Sequence, residues 1–416
     1  MTSRTIVVVG ASLAGLRAAE TLRSEGFDER IVVVGAEAHL PYDRPPLSKA
    51  LLAGDWEPDR IVLRRPDQLG ALDLEMHLGV AATALDVDGR AVHLADGRAL
   101  AFDGCIVATG ASPRRLPNQP TALAGLYELR TLDDALALRS DLRDHGTRRV
   151  VVIGAGFIGA EVAATARGMG HEVTVLEALP APLVRGLGEA MGNAVGAFHV
   201  DHGVTLRCGV GVSGFAGERR VEGVMLADGS TVEADVVVVG IGVAPATAWL
   251  ASSGLTIDDG IVCGASLRAA PRVYAAGDIA RWPWSDGGAP NSGASVRIEH
   301  WTNANEQGAL AAMNLLAELG GGEPTPFVTV PFVWSDQYDR RIQIIGRLSG
   351  DHDVEVAHGA LADGSWVALY GGAGHLQGVL AINQPRKLMA YRKLLMAGAV
   401  TWDAALARAR ELEAAT

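Results

Sequence analysis

Two glycine-rich loops constrain this chain more than any other feature of its sequence. The first is Gly10-Ala11-Ser12-Leu13-Ala14-Gly15, and the second is Gly154-Ala155-Gly156-Phe157-Ile158-Gly159. Each loop follows a run of β-branched residues and precedes a run of small residues typical of a helix. In that context such a loop binds the pyrophosphate of a dinucleotide. The chain is therefore predicted to hold two dinucleotides.

Length and composition limit the class of protein. At 416 residues the chain exceeds the size at which a single core stops growing, so two or three domains are expected. No apolar run is long enough to span a membrane. The strand Thr5 to Val9 begins so early that we expect no signal peptide and predict a cytoplasmic protein. A net charge of −12 argues against nucleic acid as a partner.

The three cysteines exclude two kinds of redox chemistry. Cys105, Cys208 and Cys263 are far apart, and none belongs to a pair with the short spacing of a redox disulfide or a metal site. We interpret them as small core residues and expect no metal site. Electrons are therefore predicted to be carried by neither a dithiol nor a cysteine-bound iron cluster.

The first half of the chain predicts a βαβ unit followed by short strands. Strand Thr5 to Val9, a helix from about Ala14 to Glu25 and strand Ile31 to Val34 form the unit. Asp-Gly turns between about Leu72 and Phe102 predict a β meander. A buried strand then ends in a tight turn at Ala108-Thr109-Gly110.

The same order of elements recurs further along the chain. Strand Arg149 to Ile153, a helix from Ala160 to Gly168 and strand Val173 to Leu176 predict a second βαβ unit, and a second meander follows. A helix is expected from Thr302 to Leu319, and the three glycines after it mark a boundary. Short strand patterns and a helical end beyond that boundary predict a third, α+β domain.

The residues around the loops indicate which nucleotides fit. Ser12 stands where the first loop would usually have its middle glycine, and its small side chain can donate a hydrogen bond to phosphate. Glu177 ends the strand after the second loop, where a carboxylate accepts hydrogen bonds from an adenosine ribose diol and repels a 2′-phosphate. No basic residue follows until Arg185, so NADH is favoured over NADPH. The alternative is that Glu177 is a solvated loop acid.

The order of motifs closely resembles that of the FAD-dependent, NADH-using ferredoxin reductases of bacterial oxygenase systems. The resemblance covers essentially the whole chain and rests on the two loops, Pro-Tyr-Asp-Arg-Pro-Pro-Leu-Ser-Lys, Ala-Thr-Gly, Gly-Ile-Gly, Ala-Ala-Gly-Asp, Arg-Ile-Glu-His-Trp and Trp-Ser-Asp-Gln-Tyr. It implies an α/β fold like glutathione reductase, with two Rossmann-like dinucleotide-binding domains and a C-terminal α+β domain. The expected FAD domain comprises residues 1–112 and 246–322, the NAD domain 113–245 and the C-terminal domain 323–416.

The resemblance assigns residues to FAD. Ala14 is expected against the pyrophosphate, Lys49 near the flavin, Asp278 on the ribityl hydroxyls and Val296 on the isoalloxazine through its backbone. The family commonly has an acid where Ala36 stands, which leaves Glu37 as the candidate for the FAD ribose. The expected FAD-binding residues are Gly10, Ser12, Ala14, Gly15, Glu37, Arg44, Lys49, Ala82, Ala108, Thr109, Gly110, Arg130, Gly277, Asp278 and Val296.

The resemblance also assigns residues to NADH. Glu161 resembles an acid that orients the nicotinamide carboxamide, although it could instead accept hydrogen bonds from nearby helix N-terminal amides. The expected NADH-binding residues are Gly154, Gly156, Phe157, Ile158, Gly159, Glu161, Glu177, Arg185 and Gly242. Lys49 and Glu161 are the expected catalytic residues.

The implied activity is that of an NADH:ferredoxin oxidoreductase. Disulfide reductases of this fold have a cysteine pair after the first βαβ unit, where this chain has Pro45-Pro46-Leu47-Ser48. Disulfide chemistry is therefore excluded, and the resemblance implies a two-iron ferredoxin as the electron acceptor, which is expected to dock transiently through local basic groups. The candidates for docking are Arg64-Arg65, Arg340-Arg341 and Arg386-Lys387, with Trp334 at the electron exit.

Other functions stay open from the sequence alone. A rubredoxin reductase, or a reductase of another one-electron carrier, is barely separable from a ferredoxin reductase. A redox-sensing binding protein like apoptosis-inducing factor would carry long extra segments and basic surfaces, and a flavin monooxygenase would need an oxygen route and a substrate pocket. The chain could be a monomer or a dimer.

Overall fold

Parallel sheets form where the sequence places its two βαβ patterns. The structure is a computed structural model that describes residues 3–286 and 289–414. Its helices are α1 (Leu13–Ser24), α2 (Ala50–Ala53), α3 (Pro66–Gly70), α4 (Leu132–Arg143), α5 (Phe157–Gly168), α6 (Val184–Asp201), α7 (Trp301–Leu319), α8 (Pro385–Ala397) and α9 (Trp402–Ala414). The chain divides into unit 1, which comprises Met1–Asp43, Val62–Ser112 and Ala244–Pro331, and unit 2, which comprises Arg44–Ile61, Pro113–Val243 and Phe332–Thr416.

Unit 1 is built on a six-stranded sheet. Its central strand, Thr5–Val9, is buried along its whole length, as expected for a β-branched run covered on both faces. The strands lie in the order Arg268–Ala270, Val273–Ala275, Gly104–Val107, Thr5–Val9, Arg30–Gly35 and Glu75–Leu78. The pair Arg268–Ala270 and Val273–Ala275 is antiparallel and the other neighbours are parallel. The first glycine loop therefore lies at the carboxyl end of a central strand.

The predicted meander of unit 1 is right only in its second part. Strands Ala82–Asp86, Ala91–Leu94 and Ala99–Ala101 form an antiparallel sheet. Glu75–Leu78, by contrast, pairs in parallel with Arg30–Gly35 and extends the large sheet. A third sheet contains Ile261–Val262, Ala280–Asp286 and Ala289–Val296.

Helices α1 and α7 of unit 1 pack at very short range. A Cβ atom built on Gly308 of α7 would lie 2.3 Å from the backbone oxygen of Ala14 in α1. Only a residue without a side chain allows this approach. The helix predicted from Thr302 begins one residue earlier, at Trp301, and ends at Leu319 as predicted.

Unit 2 contains the second parallel sheet. Its strands lie in the order Thr205–Cys208, Glu172–Glu177, Arg149–Ile153, Val236–Val239 and Leu126–Glu128, and all neighbours are parallel. Helix α5 begins at Phe157, three residues before the predicted start, because the middle glycine of the loop is itself the N-cap. The second meander is present as Val212–Ala216, Gly223–Leu226 and Thr231–Glu233.

The C-terminal part of unit 2 is an antiparallel sheet with helices. The strands lie in the order Phe332–Gln337, Arg340–Gly346, His375–Ile382, Trp366–Gly372 and Asp353–His358, followed in the chain by α8 and α9. Apolar side chains of α6, including Met191 and Phe198, share a buried cluster with Trp366 and Tyr370 of this sheet. Sheet and helices together give the α+β character predicted from the sequence.

The predicted division into three domains stays a prediction. Its boundaries at 112 and 245 lie beside the short strands Ala111–Pro113 and Val243–Pro245, where the chain passes from one compact unit to the other. Residues 1 and 416, the outer ends of the predicted domains, lie outside the described residues. Within residues 3–286 and 289–414, no helix is long and apolar enough to cross a membrane.

Candidate functional site

The first glycine loop is shaped by close backbone packing in unit 1. Gly10 has φ +118°, and a Cβ there would lie 2.2 Å from the oxygen of Ala108. A Cβ on Gly15 would lie 1.8 Å from the oxygen of Gly10. Ser12 is the N-cap of α1, and its side chain makes no capping hydrogen bond. The amides at the start of α1 and the Ser12 hydroxyl are therefore available to an anion at this helix end.

Several of the other predicted FAD residues of unit 1 surround this loop. A Cβ on Gly277, which has φ +79°, would lie 3.2 Å from the Ala14 side chain, and the Gly277 N–H donates to Gln307 Oε1 at 2.8 Å. Thr109 donates to the oxygen of Ala246, and Gly110 has φ +67°. Asp278 follows directly in a half-buried position. The structure thus brings the Ala108 turn and the Gly277 turn to the carboxyl ends of neighbouring strands.

The remaining predicted FAD residues lie further from the loop in sequence. Glu37 follows the strand Arg30–Gly35 and accepts a hydrogen bond from the Tyr42 hydroxyl. Ala82 begins its strand, and Val296 ends its strand with 7% of its surface exposed. Arg44, Lys49 and Arg130 belong to unit 2, where Arg44 Nη1 donates to the oxygen of Arg130 at 2.6 Å.

The second glycine loop, in unit 2, combines two tight positions with two open ones. A Cβ on Gly154 (φ +100°) would lie 2.4 Å from the oxygen of Gly240, and one on Gly159 would lie 2.1 Å from that of Gly154. Around Gly156, and around Gly242 with φ +97°, no atom would lie within 4 Å of such a Cβ. The outer glycines therefore serve packing, whereas Gly156 and Gly242 border free space. That pattern fits the approach of a pyrophosphate and its nucleotide to bare backbone.

The carboxylate of Glu177 is fixed against the second loop. Its Oε2 accepts the N–H of Ala155 at 2.7 Å, and its Oε1 accepts the N–H of Leu179 at 2.9 Å. The side chain is half-buried and lies at the end of the strand Glu172–Glu177. A carboxylate held by two backbone donors keeps its charge in one place, which suits recognition of a ribose diol.

An ion pair joins the two predicted catalytic residues. Lys49 Nζ lies 2.7 Å from Glu161 Oε2, although the residues are far apart in sequence. The Glu161 side chain is only 4% exposed. It also accepts hydrogen bonds from Ser48 Oγ at 2.5 Å and Ser335 Oγ at 2.7 Å. Three side-chain donors therefore account for the buried carboxylate of Glu161. Hydrogen bonds from helix N-terminal amides, the alternative raised by the sequence, are not needed to explain its burial.

Helix α5 and the segment before Lys49 are tied together by a further bond. Thr165 Oγ1 in α5 donates to the backbone oxygen of Ser48 at 2.7 Å. Since Glu161 and Thr165 are four residues apart, they lie on the same face of the helix. The helix therefore holds both the backbone and the side chains of the Ser48-Lys49 pair.

The other predicted NADH residues differ in exposure. Phe157 is partly buried against the apolar cluster that α6 forms with the C-terminal antiparallel sheet, whereas Ile158 is 46% exposed. Arg185 is exposed in the first turn of α6. The predicted roles of these three residues in cofactor binding stay predictions.

The three cysteines do not form a disulfide. All three are free; Cys105 and Cys263 are buried, and burial raises the pKa of each thiol to about 12. Burial also raises the pKa of the half-buried Cys208. Thiolate chemistry at neutral pH is therefore unfavourable at all three.

Sequence reasoning missed the serines of this site. Ser48 and Ser335 both lie in quoted motifs, Pro-Pro-Leu-Ser-Lys and Trp-Ser-Asp-Gln-Tyr, but neither was assigned a role. Ser48 is 1% exposed and Ser335 fully buried. No local pattern marks them, because Lys49 follows Ser48 and Asp336 follows Ser335, and their burial comes from tertiary packing.

Two glycine loops at the carboxyl ends of parallel strands define a dinucleotide-binding protein of the Rossmann type. The chain belongs to the pyridine nucleotide-disulphide oxidoreductase family, which it matches over residues 4–308, and residues 332–415 match the reductase C-terminal family. Rhodocoxin reductase of Rhodococcus erythropolis is 38% identical over 94% of this chain and 89% of its own length. The ferredoxin reductase component of a chlorobenzene dioxygenase from Cupriavidus sp. (strain PS12) is 36% identical over 97% and 95%.

A solved structure supports the same relationship. The crystal structure of the covalent putidaredoxin reductase-putidaredoxin complex contains a chain that is 34% identical to this one, with a TM-score of 0.87. The match covers 94% of this chain and 93% of that chain. The predicted family and fold class are thereby confirmed.

Proposed function

We propose that this protein is a flavoprotein reductase that takes electrons from NADH and passes them through FAD to a two-iron ferredoxin, which supplies an oxygenase. The proposal is supported by the family and by relatives whose names describe ferredoxin reductase components of oxygenase systems. FAD accepts two electrons as a hydride and releases them singly, so it joins a two-electron donor to a one-electron acceptor.

Unit 1 is proposed to hold FAD. The amides at the start of α1 and the Ser12 hydroxyl would bind the pyrophosphate, and Asp278 would bind the ribityl hydroxyls. Gly277 supports the assignment because its backbone packs beside Ala14, so the Asp278 turn and the loop share one end of the sheet. Glu37, oriented by the Tyr42 hydroxyl, would accept hydrogen bonds from the hydroxyls of the FAD ribose.

Unit 2 is proposed to hold NADH, and the open space around Gly156 is the observation that carries the assignment. The pyrophosphate would lie against Gly156, and the adenosine ribose against the fixed carboxylate of Glu177. A 2′-phosphate there would meet a negative charge that two backbone N–H groups hold in place, so NADH is preferred.

Lys49 and Glu161 are proposed to prepare the reacting end of the cofactor site. The ion pair fixes both side chains. Glu161 would accept a hydrogen bond from the carboxamide N–H of the nicotinamide. Three donors already oriented toward Glu161 hold its carboxylate still, so little reorganisation accompanies the reaction. Lys49 would supply a positive charge where negative charge develops.

The cysteines support an external electron acceptor. All three are free, and Pro45 to Lys49 contains no cysteine. The electrons would therefore leave the protein without passing through a disulfide. An external one-electron carrier of the ferredoxin type is the proposed acceptor.

Anaerobic mixing of the purified protein with NADH tests the proposal. We expect the flavin absorbance to bleach within the dead time of manual mixing, and cytochrome c to be reduced only when a two-iron ferredoxin is added. Bleaching without ferredoxin-dependent cytochrome reduction would reject ferredoxin as the partner. A parallel assay with rubredoxin distinguishes the alternative acceptor, because faster reduction through rubredoxin would favour it.

The variant Glu177→Gln tests the choice of nucleotide. We expect the preference for NADH over NADPH to fall by roughly tenfold, equivalent to about 1.4 kcal/mol, because the fixed negative charge is gone. Glu172→Gln, an exposed acid at the other end of the same strand, is the control and should leave the preference unchanged. An unaltered preference in Glu177→Gln would show that the ribose assignment is wrong.

A further inference from the structure

A row of buried polar side chains continues from Glu161 through unit 2. Beyond Ser335 come Gln337 and His199, with exposed fractions of 0%, 0% and 1%. Polar groups in such a place reduce stability unless each finds a hydrogen-bond partner. Their alignment on one side of the ion pair therefore calls for an explanation.

The strand Phe332–Gln337 creates the row by its alternation. Val333, Ser335 and Gln337 point to one face of the sheet, and Val333 packs against the α6 cluster there. Phe332 and Trp334 point to the other face, where their rings stack with centroids 5.8 Å apart. A single strand thus presents two polar residues to Glu161 and α6 and keeps its aromatic residues on the opposite side.

The hydrogen bonds of the row have a direction. Gln337 Nε2 donates to Ser335 Oγ at 3.1 Å, so a lone pair of the serine oxygen is occupied. The serine hydroxyl is then free to donate to Glu161 Oε1 at 2.7 Å. A carboxylate can only accept, so the serine hydroxyl donates toward Glu161.

His199 and Tyr338 form a separate polar pair beside Gln337. Burial lowers the pKa of His199 to about 4, so the ring is neutral at neutral pH. Its Nδ1 lies 2.9 Å from the Tyr338 hydroxyl, within hydrogen-bond distance. Gln337 Oε1 is buried and has no hydrogen-bond partner in the described residues, so the hydrogen bonds that lead to Glu161 begin at Gln337 Nε2.

We propose that Gln337 and Ser335 form a positioning relay that presets Glu161 for the nicotinamide end of NADH. The inference rests on the proposed function, since it assumes that Glu161 faces the nicotinamide. Hydrogen bonds that share one direction polarise one another, so the relay delivers a stronger donor to Glu161 than an isolated serine would. These residues act through Glu161 and do not contact the cofactor themselves.

The variant Gln337→Met tests the relay, and Gln343→Met is its matched control. Methionine keeps the volume of glutamine but removes its donor and acceptor. Gln343 is also buried, in the neighbouring strand, and pairs with Trp334 on the opposite face. We expect Gln337→Met to slow flavin reduction at saturating NADH by about fivefold, the equivalent of one net hydrogen bond. Its affinity for NAD⁺, measured by calorimetry, should change less than about twofold, because positioning affects the reaction rather than ground-state binding.

A second pair of variants keeps the test independent of folding. Ser335→Ala removes only the hydroxyl that donates to Glu161, whereas Tyr391→Phe removes a buried hydroxyl that bonds His358 Nε2 at 2.8 Å elsewhere in the same sheet-and-helix region. We expect a loss of rate at least as large as that of Gln337→Met in Ser335→Ala and none in Tyr391→Phe, with both melting temperatures recorded.

Equal losses in test and control variants, or wild-type rates in Gln337→Met and Ser335→Ala, would overturn the relay. Losses of rate and NAD⁺ affinity that follow the melting temperature would do the same, since they would indicate a merely structural role. Failure of the wild-type protein to bleach with NADH is a separate outcome. It would reject the proposed function and the relay with it.

Discussion

At the scale of single residues, the glycines of the second loop divide into two roles that a mutation can separate. Gly159 sits where a Cβ would lie 2.1 Å from the oxygen of Gly154, so the backbone must move to admit any side chain. Gly156 has an ordinary φ of −76° and nothing within 4 Å of a Cβ. Packing should therefore depend on Gly159, and cofactor binding on Gly156.

We expect Gly159→Ala to lower the free energy of unfolding by about 1 to 3 kcal/mol, as other overpacked sites do. Gly156→Ala should cost less than about 1 kcal/mol, the scale of a changed N-cap residue, yet weaken NADH binding by about tenfold or more because its methyl occupies the pyrophosphate space. Thermal unfolding and NADH titration separate the two effects. Normal NADH affinity in Gly156→Ala would show that the pyrophosphate does not bind at this position.

At the scale of elements, the contact between α1 and α7 links packing to the first loop. Gly308 allows the backbone of α7 to approach Ala14, which is also a predicted pyrophosphate residue. A side chain at Gly308 would push the two helices apart and displace the amides at the start of α1. Helix packing and cofactor binding are therefore coupled at this point.

We expect Gly308→Ala to be purified with reduced flavin content, measured as the ratio of flavin to protein absorbance, and with a lower melting temperature. Gly168→Ala is the control, because Gly168 ends α5 and a Cβ there meets nothing within 4 Å. That exchange should keep full flavin content and can raise stability by up to about 1 kcal/mol. Full flavin content in Gly308→Ala would mean that the loop tolerates a shift of α1.

A second element-scale device pins two strands of the parallel sheet in unit 2. Arg149 donates to Asp235 from its backbone N–H at 2.9 Å and from Nη2 at 2.8 Å, at the start of neighbouring strands. The side-chain hydrogen bond to Arg149 lowers the pKa of Asp235 to about 2 from its ordinary 3.8. A lowered pKa means that the carboxylate stabilises the fold above about pH 4 and that this contribution is lost as the pH falls toward 2.

We expect Asp235→Asn to reduce the free energy of unfolding by about 1 kcal/mol at pH 7, a value discounted for the solvent around the pair. The difference from wild type should shrink as the pH falls below about 4. Glu233→Gln, which removes the more exposed partner of Arg149, should change stability little. Denaturation curves at several pH values check this, and a difference that persists at pH 2 would contradict the ion-pair account.

At the scale of the whole molecule, local patterns predicted the elements better than the contacts between them. The strands Thr5–Val9 and Arg149–Ile153 were predicted to the residue, because a continuous β-branched run has few other structures open to it. The start of α5 was placed too late, since Phe157 and Ile158 carry no helix-start signal beyond the glycine before them. Glu75–Leu78 was assigned to the meander because a short strand does not reveal its neighbour.

The candidate site shows the same limit more sharply. Lys49 and Glu161 were both chosen through the resemblance, but their 2.7 Å ion pair joins segments that no local pattern connects. The buried bonds of Ser335, Gln337 and His199 depend on the face to which each side chain points, which follows from the sheet register and not from the residue type. Tertiary placement thus decided what propensity and spacing left open.

Electron delivery to the proposed ferredoxin is also a property of the whole molecule, because this acidic chain would have to bind a carrier that is typically acidic. The net charge is −12, so attraction has to come from local basic groups. Several candidates are already paired with acids: Arg64 with Glu20, Arg65 with Asp67, Arg340 with Asp339, and Lys387 with Glu413. Arg386 is exposed in the first turn of α8.

We expect Arg386→Gln to raise the apparent KM for ferredoxin by about threefold at low salt, where weak screening lets the attraction between charges extend beyond about 10 Å. The effect should fade as salt is raised, because screening removes the same attraction that the variant removes. Arg219 is an exposed arginine that precedes the strand Gly223–Leu226 in unit 2. Its variant Arg219→Gln is the control and should have no effect. Reduction of ferricyanide, a small acceptor that needs no docking, should be unchanged in both. A ferredoxin-dependent rate that rises with salt in the wild-type protein would show that global repulsion outweighs local attraction, and would move the docking surface away from α8.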